Sequence, residues 1–505
     1  MKKFFITTPI YYVNDKPHIG HTYTTVAADI LSRFYRNGVS TFFLTGTDEH
    51  GTKVCQSAQK QEVEVKKFCD EVAQNYQKTW KALDVNYDFF VRTTDKYHEE
   101  FVKLILTRLK DNGFLCEGEY EGLYCEGCEE FKSEKDLVSG CCPIHKTFPI
   151  KLKEKVWFFK LAQFQDKIFS HLGKDFVVLP QKREAELTSF LKNEKLHDVA
   201  ISRPRDRVEW GIDLPWDNNQ VIYVWIDALF NYLSGPLSSR GFNFSNKHWE
   251  DILEALNDFW PADIQLIGKD ILRFHAVIWP ALLLALGLPL PKRLFVHGFF
   301  TINGEKISKS LNNAVNPVDL KKEFGLAALR YYLFRDFSFG EDGDVSLENL
   351  VERYNADLAD NIGNLLSRSL TLVQKYGALK QKIEFKKDED LENLFRNFKF
   401  KEALEKINLL AREKNQLIDK EKPWALIKEA HQGKEFAIEN NSQIKFEKIL
   451  ISTLETLLII SYYLKPFLPL EAEKIETAIK NLEPEIVFPK ILLEDTITKK
   501  QDINK

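Results

Sequence analysis

Residues 9–25 read PIYYVNDKPHIGHTYTT, an apolar run followed by two histidines, His18 and His21, that flank Ile19 and Gly20. Helical spacing begins at once behind them (Val26, Ile30, Phe34) and predicts a helix over Thr22–Asn37. Lys3–Thr8 reads as a strand ahead of it and Ser40–Thr45 as a strand behind it. Strand, helix, strand is the opening of a doubly wound parallel sheet, which takes ligands beyond the carboxyl ends of its strands. The quoted stretch and TGTDEHGT (45–52) both fall there.

The alternation continues. Residues 61–113 read as helices with YDFFVRTT (87–94) as a strand between them. Near residue 116 the texture turns rich in glycine and cysteine. Apolar strands resume at VIYVWIDAL (221–229), DIQLIGKD (263–270) and KRLFVHGFF (292–300), with ILRFHAVIWPALLLAL (271–286) as a helix between the last two. From about residue 350 strand signals vanish. YNADLADNIGNLLSRSLTLVQKYG (354–377) sets Leu358, Ile362, Leu365 and Leu370 on one helical face, and further helical runs follow at 400–419, 424–431 and 446–464. The expected architecture is α/β: a split Rossmann-like doubly wound parallel sheet, an inserted connective domain rich in glycine and cysteine, and a C-terminal all-α helical bundle. The expected boundaries are 1–115 and 221–295 for the two halves of the sheet domain and 116–220 for the insertion. Residues 296–350 hold a loop region, and 351–505 the bundle.

Composition excludes several classes. With 44% hydrophobic and 29% charged residues, the chain is ordinary for a globular protein, and its net charge of −4 gives no global attraction to nucleic acid. The start MKKFFITTPIYYV mimics a signal peptide, but Pro9 and the threonines interrupt the run and no small-residue cleavage site follows. No stretch approaches the ~20 apolar residues of a membrane span, so a cytoplasmic protein without membrane contact is expected. Cys125, Cys128, Cys141 and Cys142 crowd into YCEGCEEFKSEKDLVSGCCPIHK, which in a cytosolic chain reads as metal-binding rather than as a disulfide framework.

TGTDEHGTK is no P-loop, although Gly46 and Gly51 have its spacing: Thr52 precedes Lys53, and a P-loop opens the helix after the first strand. A phosphate cradle can be built otherwise, from a glycine, a helix N-terminus and side-chain donors aimed at developing charge. PHIGH (17–21) has these elements. FTINGEKISKSLNN (300–313) adds Lys306 and Lys309 among small, flexible residues, suited to gripping a polyphosphate.

PHIGH and KISKS resemble the HIGH and KMSKS signatures of class I aminoacyl-tRNA synthetases. The surrounding segments are similar to methionyl-tRNA synthetases of the bacterial type: TTPIYYVNDKPHIGH (7–21), FLTGTDEHGTK (43–53), VIYVWIDALFNYL (221–233), IGKDILRFHAVIWPA (267–281) and HGFFTINGEKISKS (297–310). KISKS departs from the commonest form only at its middle apolar residue. The resemblance implies methionine activation by ATP with Mg²⁺, then transfer of the methionyl group to the 3′ end of tRNA(Met). It implies His18, His21, Lys306 and Lys309 as catalytic residues, joined at ATP by Gly20, Gly268 and Asp270. For methionine it implies Ile10, Tyr12, Trp225, Ala228, Leu229, Tyr232, Ile271 and His275 as the pocket, with Asp48 as the ammonium partner and Tyr12 and His275 as donors toward sulfur. Those types suit a thioether, which offers polarizability and only a weak acceptor.

Cys125-x₂-Cys128, thirteen residues, then Cys142-x₂-His145 is the spacing of a structural Cys₃His zinc site with no open position. Cys141 is the rival third ligand, although the CPIH ending favours Cys142, and an iron–sulfur centre is the alternative. The resemblance places anticodon contacts at Asn364, Arg368 and Trp424, by hydrogen bonding and base stacking. The insertion over 116–220 leaves no room for a hydrolytic editing domain. Because the chain ends with helices, without the dimerising barrel of many relatives, a monomer is expected, the barrel being absent or carried as a separate tRNA-binding subunit. Rival readings are another class I enzyme, for cysteine or leucine, and a tRNA-binding protein without catalysis.

Overall fold

The computed structural model describes residues 3–14, 16–125, 130–132, 134–144, 146–302, 305–306, 315–376, 379, 381–426 and 436–492. The chain divides into two compact units. The first holds residues 1–17 and 38–297; the second holds 18–37 and 298–505.

The first unit is built on a six-stranded parallel sheet of β1 (Phe4–Tyr12), β2 (Thr41–Asp48), β3 (Phe89–Arg92), β4 (Val177–Leu179), β5 (Ile264–Gly268) and β6 (Arg293–His297), in the order β3-β2-β1-β5-β6-β4. Every residue of β2 and β5 is buried. That is why both read as near-continuous apolar runs: a central parallel strand is covered on both faces. β1 runs four residues past its expected end. Its register against β2 slips by one residue between Thr7 and Ile10, and the slip falls where Pro9 has no N–H to give a ladder.

Two expectations give way here. The segment 221–229 is not one strand: Asp217–Ile222 pairs antiparallel in a separate three-stranded sheet, and Val224–Leu229 is a helix. A short apolar run does not by itself distinguish the two states. Nor is 116–220 one continuous insertion, because β4 joins the main sheet against β6 from within it. A three-residue strand among charged neighbours leaves no periodic signal. The remainder of that region carries a long antiparallel hairpin, Leu115–Cys125 against Ile150–Phe159, edged by Glu130–Lys132 and Val199–Ala200.

The second unit packs the helix Ile19–Arg36 with helices from the C-terminal half. Tyr23 lies 4.4 Å from the Phe300 ring centroid and 5.2 Å from that of Phe334, and Phe34 stacks on Phe395 at 4.6 Å. Among the described residues, a small sheet of 300–302, 305–306 and 343–344 is followed by helices only. The expected helix over 355–375 is π-helical from Tyr354 to Gly363 and α-helical from Asn364 to Tyr376. Helices Phe400–Glu421, Phe436–Leu464 and Pro469–Asn481 complete the bundle. Among the described residues no helix is long and apolar enough to cross a membrane.

One buried ion pair ties the helix Ile19–Arg36 into this unit. Arg330 donates from Nη2 to Asp29 Oδ2 (2.6 Å), from Nε to the Phe467 carbonyl (2.6 Å) and from Nη2 to that of Pro466 (3.2 Å). Both side chains are within 1% of full burial. Arg33 also donates to Asp29 Oδ2 (2.9 Å) but is 20% exposed, so losing Arg330 leaves the buried carboxylate its weaker partner and costs about 3 kcal/mol, the low end for a broken buried pair. Arg330→Ala is therefore expected to lower the urea unfolding midpoint sharply. Lys322→Ala, which removes an exposed pair with Asp319, is expected to leave it unchanged.

Candidate functional site

His18 caps the helix Ile19–Arg36. Its Nδ1 accepts from the Gly20 N–H (3.1 Å), while His21 Nδ1 accepts from the His18 N–H (3.4 Å). This is a capping box made of imidazoles. A neutral imidazole that accepts at Nδ1 carries its proton at Nε2, so both rings are N–H donors at that atom. The rings stack at 3.8 Å. Burial, with the neighbouring His18 adding to it, holds His21 well below the usual histidine range, so it stays neutral. A Cβ on residue 20 would lie 2.9 Å from His18 Cε1; the glycine makes room for the capping ring. The Ile19 N–H donates to the Val315 carbonyl (3.2 Å), which brings the chain just past the second signature to this helix start. Lys306 lies in the hairpin of 300–302 and 305–306 rather than in a loop, and Lys309 lies outside the described residues.

The strand-end cluster belongs to the first unit. β1 and β2 pair Ile10 with Gly46 and Tyr12 with Asp48, and the Val13 N–H closes on the Asp48 carbonyl (3.0 Å). Ile10, Tyr12 and Asp48 thus stand side by side at the carboxyl ends of two central strands. Trp225, Ala228 and Leu229 come from the helix Val224–Leu229 and Tyr232 from Asn231–Ser239. Ile271 ends the 3₁₀ turn that Gly268 opens after β5, and His275 lies in the π-helical segment Phe274–Ile278 that follows. Asp48, Ala228, Leu229, Tyr232 and His275 are buried; Ile10, Tyr12, Trp225 and Ile271 are half-buried and pack against the same core. Asp270 is exposed. Phe274, which sequence reading did not single out, stacks on Trp225 at 4.3 Å and stiffens that wall; its place in ILRFH, one turn from Ile271, was the available signal.

His275 is polarised by its neighbours. A carbonyl can only accept, so Nδ1 donates to the Ile271 carbonyl (3.1 Å), and Nε2 is left to accept from the Tyr232 hydroxyl (2.8 Å). The expectation that His275 donates toward a substrate sulfur does not fit this arrangement, because both ring nitrogens are engaged.

Among the described residues no three His, Cys, Asp or Glu side chains gather as a metal site requires. Cys128 and His145 lie outside the described residues. Cys125 and Cys142 are 1% and 0% exposed, whereas Cys141 is half-buried and ties its N–H and carbonyl to Val138. Residue 142 opens a turn in which the Lys146 N–H donates to its carbonyl (2.7 Å). Two buried thiols at a strand end and a tight turn fit a thiolate-rich zinc site.

In the second unit Asn364 is exposed and Arg368 half-buried, one turn on. Arg368 donates to Asp419 (2.6 Å), a partner that sequence reading missed. Asp419 lies in the last turn of Phe400–Glu421, which ends at Lys422 with a left-handed φ of 42°. Pro423 and the half-buried Trp424 come next, so Arg368 is tied to the helix end that presents Trp424.

Burial also holds His275 down to about 4, only partly offset by its bond to Ile271. The unfolded chain takes that proton near pH ~6.5. Between these values the unfolded state binds more protons, so stability falls as pH is lowered through the window. His275→Gln, which can keep both hydrogen bonds without titrating, is expected to flatten this acid limb by about 2 kcal/mol between pH ~6.5 and ~5, measured by urea unfolding.

The family described as tRNA synthetases class I (M) matches residues 4–148 and 133–370. The methionine–tRNA ligase of Caldanaerobacter subterraneus subsp. tengcongensis is 41% identical, over 93% of this chain and 72% of its own length. That of Rickettsia bellii is 38% identical over 99% of this chain and 97% of its own. The solved structure of Mycobacterium tuberculosis methionyl-tRNA synthetase in complex with methionyl-adenylate superposes with a TM-score of 0.83 at 34% identity, covering 97% of this chain and 99% of that one. The chain belongs to the class I tRNA synthetases of the methionine type, the methionine–tRNA ligases.

Proposed function

We propose that this chain activates L-methionine with ATP to methionyl-adenylate and pyrophosphate, then passes the methionyl group to the 3′ end of tRNA(Met). A carboxylate oxygen of methionine bonds to the α-phosphorus as the bond to pyrophosphate breaks. Such a transfer asks the protein for positioning and charge stabilisation. One observation carries the reading: the stacked imidazoles of His18 and His21 at the helix start, each tied through Nδ1 so that its proton sits on Nε2. We assign these donors to the ATP phosphates as charge develops in the transition state, with Lys309, and less centrally Lys306, on the β and γ groups and Mg²⁺ accompanying ATP. Gly268 and Asp270 are assigned to the ribose.

Asp48 takes the substrate ammonium. Ile10, Tyr12, Trp225, Ala228, Leu229, Tyr232, Ile271 and His275 enclose the thioether, where aromatic faces favour sulfur. With His275 tied on both nitrogens, Tyr12 is the remaining side-chain donor of the expected pair. Asn364, Arg368 and Trp424 read the anticodon by hydrogen bonding and stacking. Cys125, Cys128, Cys142 and His145 hold one structural zinc, which when bound would brace the turn at 142–147.

Two experiments test this. Amino-acid-dependent ATP–pyrophosphate exchange is expected with methionine alone among methionine, leucine, isoleucine, valine and cysteine, and Lys309→Ala is expected to abolish it. Exchange with another amino acid would sink the pocket assignment. Elemental analysis is expected to find one zinc per chain, lost in Cys128→Ser and kept in Cys141→Ser; retention in the first variant or loss in the second would overturn the ligand set.

A further inference from the structure

The TGTDEHGT segment carries a buried charged residue that the proposed reaction does not use. His50 is 2% exposed. Its Nδ1 lies 3.1 Å from Asp227 Oδ2, and its Nε2 lies 3.7 Å from Glu99 Oε1. Asp227 is fully buried. Burial alone would strip His50 of its proton, but the Asp227 carboxylate, with Glu99 and Asp48 assisting, lifts it above the ordinary histidine value. Burial pushes the Asp227 carboxyl up as well, with Glu99 adding to it, so the two groups hold one proton between them across the 3.1 Å contact.

Its place is what matters. His50 stands two residues beyond Asp48, and Asp227 two residues beyond Trp225. The pair joins the β2 end, with the ammonium carboxylate, to the helix that holds the aromatic wall. On its other flank the 49–51 segment is gripped by Trp210, whose Nε1–H donates to the Glu49 carbonyl (2.7 Å) and whose carbonyl accepts from the Gly51 N–H (3.0 Å). An apolar pair would satisfy stability as well or better, because desolvating two charges offsets much of their attraction. What the shared proton adds is a fixed relative placement of two segments distant in sequence.

We propose that His50, through its contact with Asp227, is a positioning residue for amino-acid binding that sets the separation between Asp48 and Trp225. The inference rests on the assignment of those two residues to the methionine pocket.

Steady-state pyrophosphate exchange on the full chain tests it, comparing His50→Gln, Asp227→Asn and the double variant, with Asp48→Asn as a control. Each single variant is expected to raise KM for methionine about tenfold while KM for ATP and kcat stay within about threefold. The double variant, where Gln and Asn can hydrogen-bond as a neutral pair, is expected to show a smaller rise than the two single effects multiplied. A rise in both KM values together, or multiplicative effects in the double variant, would make the pair merely structural and overturn the proposal. A raised methionine KM in Asp48→Asn beside an unaltered one in His50→Gln also overturns it, while leaving the pocket reading intact. An unaltered KM in Asp48→Asn overturns the pocket reading and the proposal with it. Should His50→Gln fail to fold, Glu99→Gln decides: its side chain is 35% exposed. A two- to threefold rise in methionine KM, on the order expected for losing one partly exposed charge, supports the role, and no change overturns it.

Discussion

Taking a carboxylate out of water costs several kcal/mol unless a cation goes with it, and both units are organised round carboxylates that have been taken out of water. Asp29, Glu49, Asp227 and Asp357 are all buried. Their partners are Arg330, Arg92, His50 and Arg335, at 2.6, 2.7, 3.1 and 2.7 Å. Each pair joins two different elements of the fold, and each lies beside a stretch with a proposed chemical role. Asp29 is on the helix that His18 caps, Glu49 and His50 follow Asp48, and Asp357 lies in the π-helical turn before Asn364. An apolar core would hold these elements together but would tolerate small shifts between them. The ion pairs remove that tolerance.

The histidines show a second device at smaller scale. In His18 and His21 the backbone N–H groups occupy Nδ1 and make Nε2 a donor; in His275 a backbone carbonyl occupies Nδ1 and makes Nε2 an acceptor. The same side chain is thus set to opposite polarity by which backbone group it meets. Donors suit phosphate oxygens. The acceptor serves to orient a tyrosine hydroxyl in an apolar pocket.

Much of this was legible in the sequence where the signal is local. PHIGH announces a capped helix start, the buried strands announce themselves as apolar runs, and TGTDEHGT falls at a strand end as expected. The misreadings are equally instructive. VWIDAL reads as strand because six residues are too few to separate periods of 2 and 3.6, and Val177–Leu179 leaves no signal because three residues carry no period at all. β1 reads as ending at Thr8 because Pro9 looks like a break, whereas a one-residue slip absorbs it. The pairings of His50 with Asp227 and of Arg330 with Asp29 were invisible, since nothing local in a charged residue reveals a partner hundreds of positions away.

The helix Ile19–Arg36 has a consequence for the order in which the chain can be assembled. It leaves the ribosome more than 250 residues before the groups that bury it, Phe300, Arg330, Phe334 and Phe395. Domains ordinarily fold as they emerge, N-terminal first. Here the segment bearing the first signature has to wait, its apolar face uncovered, until the second signature and the helices behind it have been synthesised. Synthesis stopped short of them would yield a fragment with a sheet but with this helix undocked, so the helix start that His18 caps is seated only after Phe395 has been made.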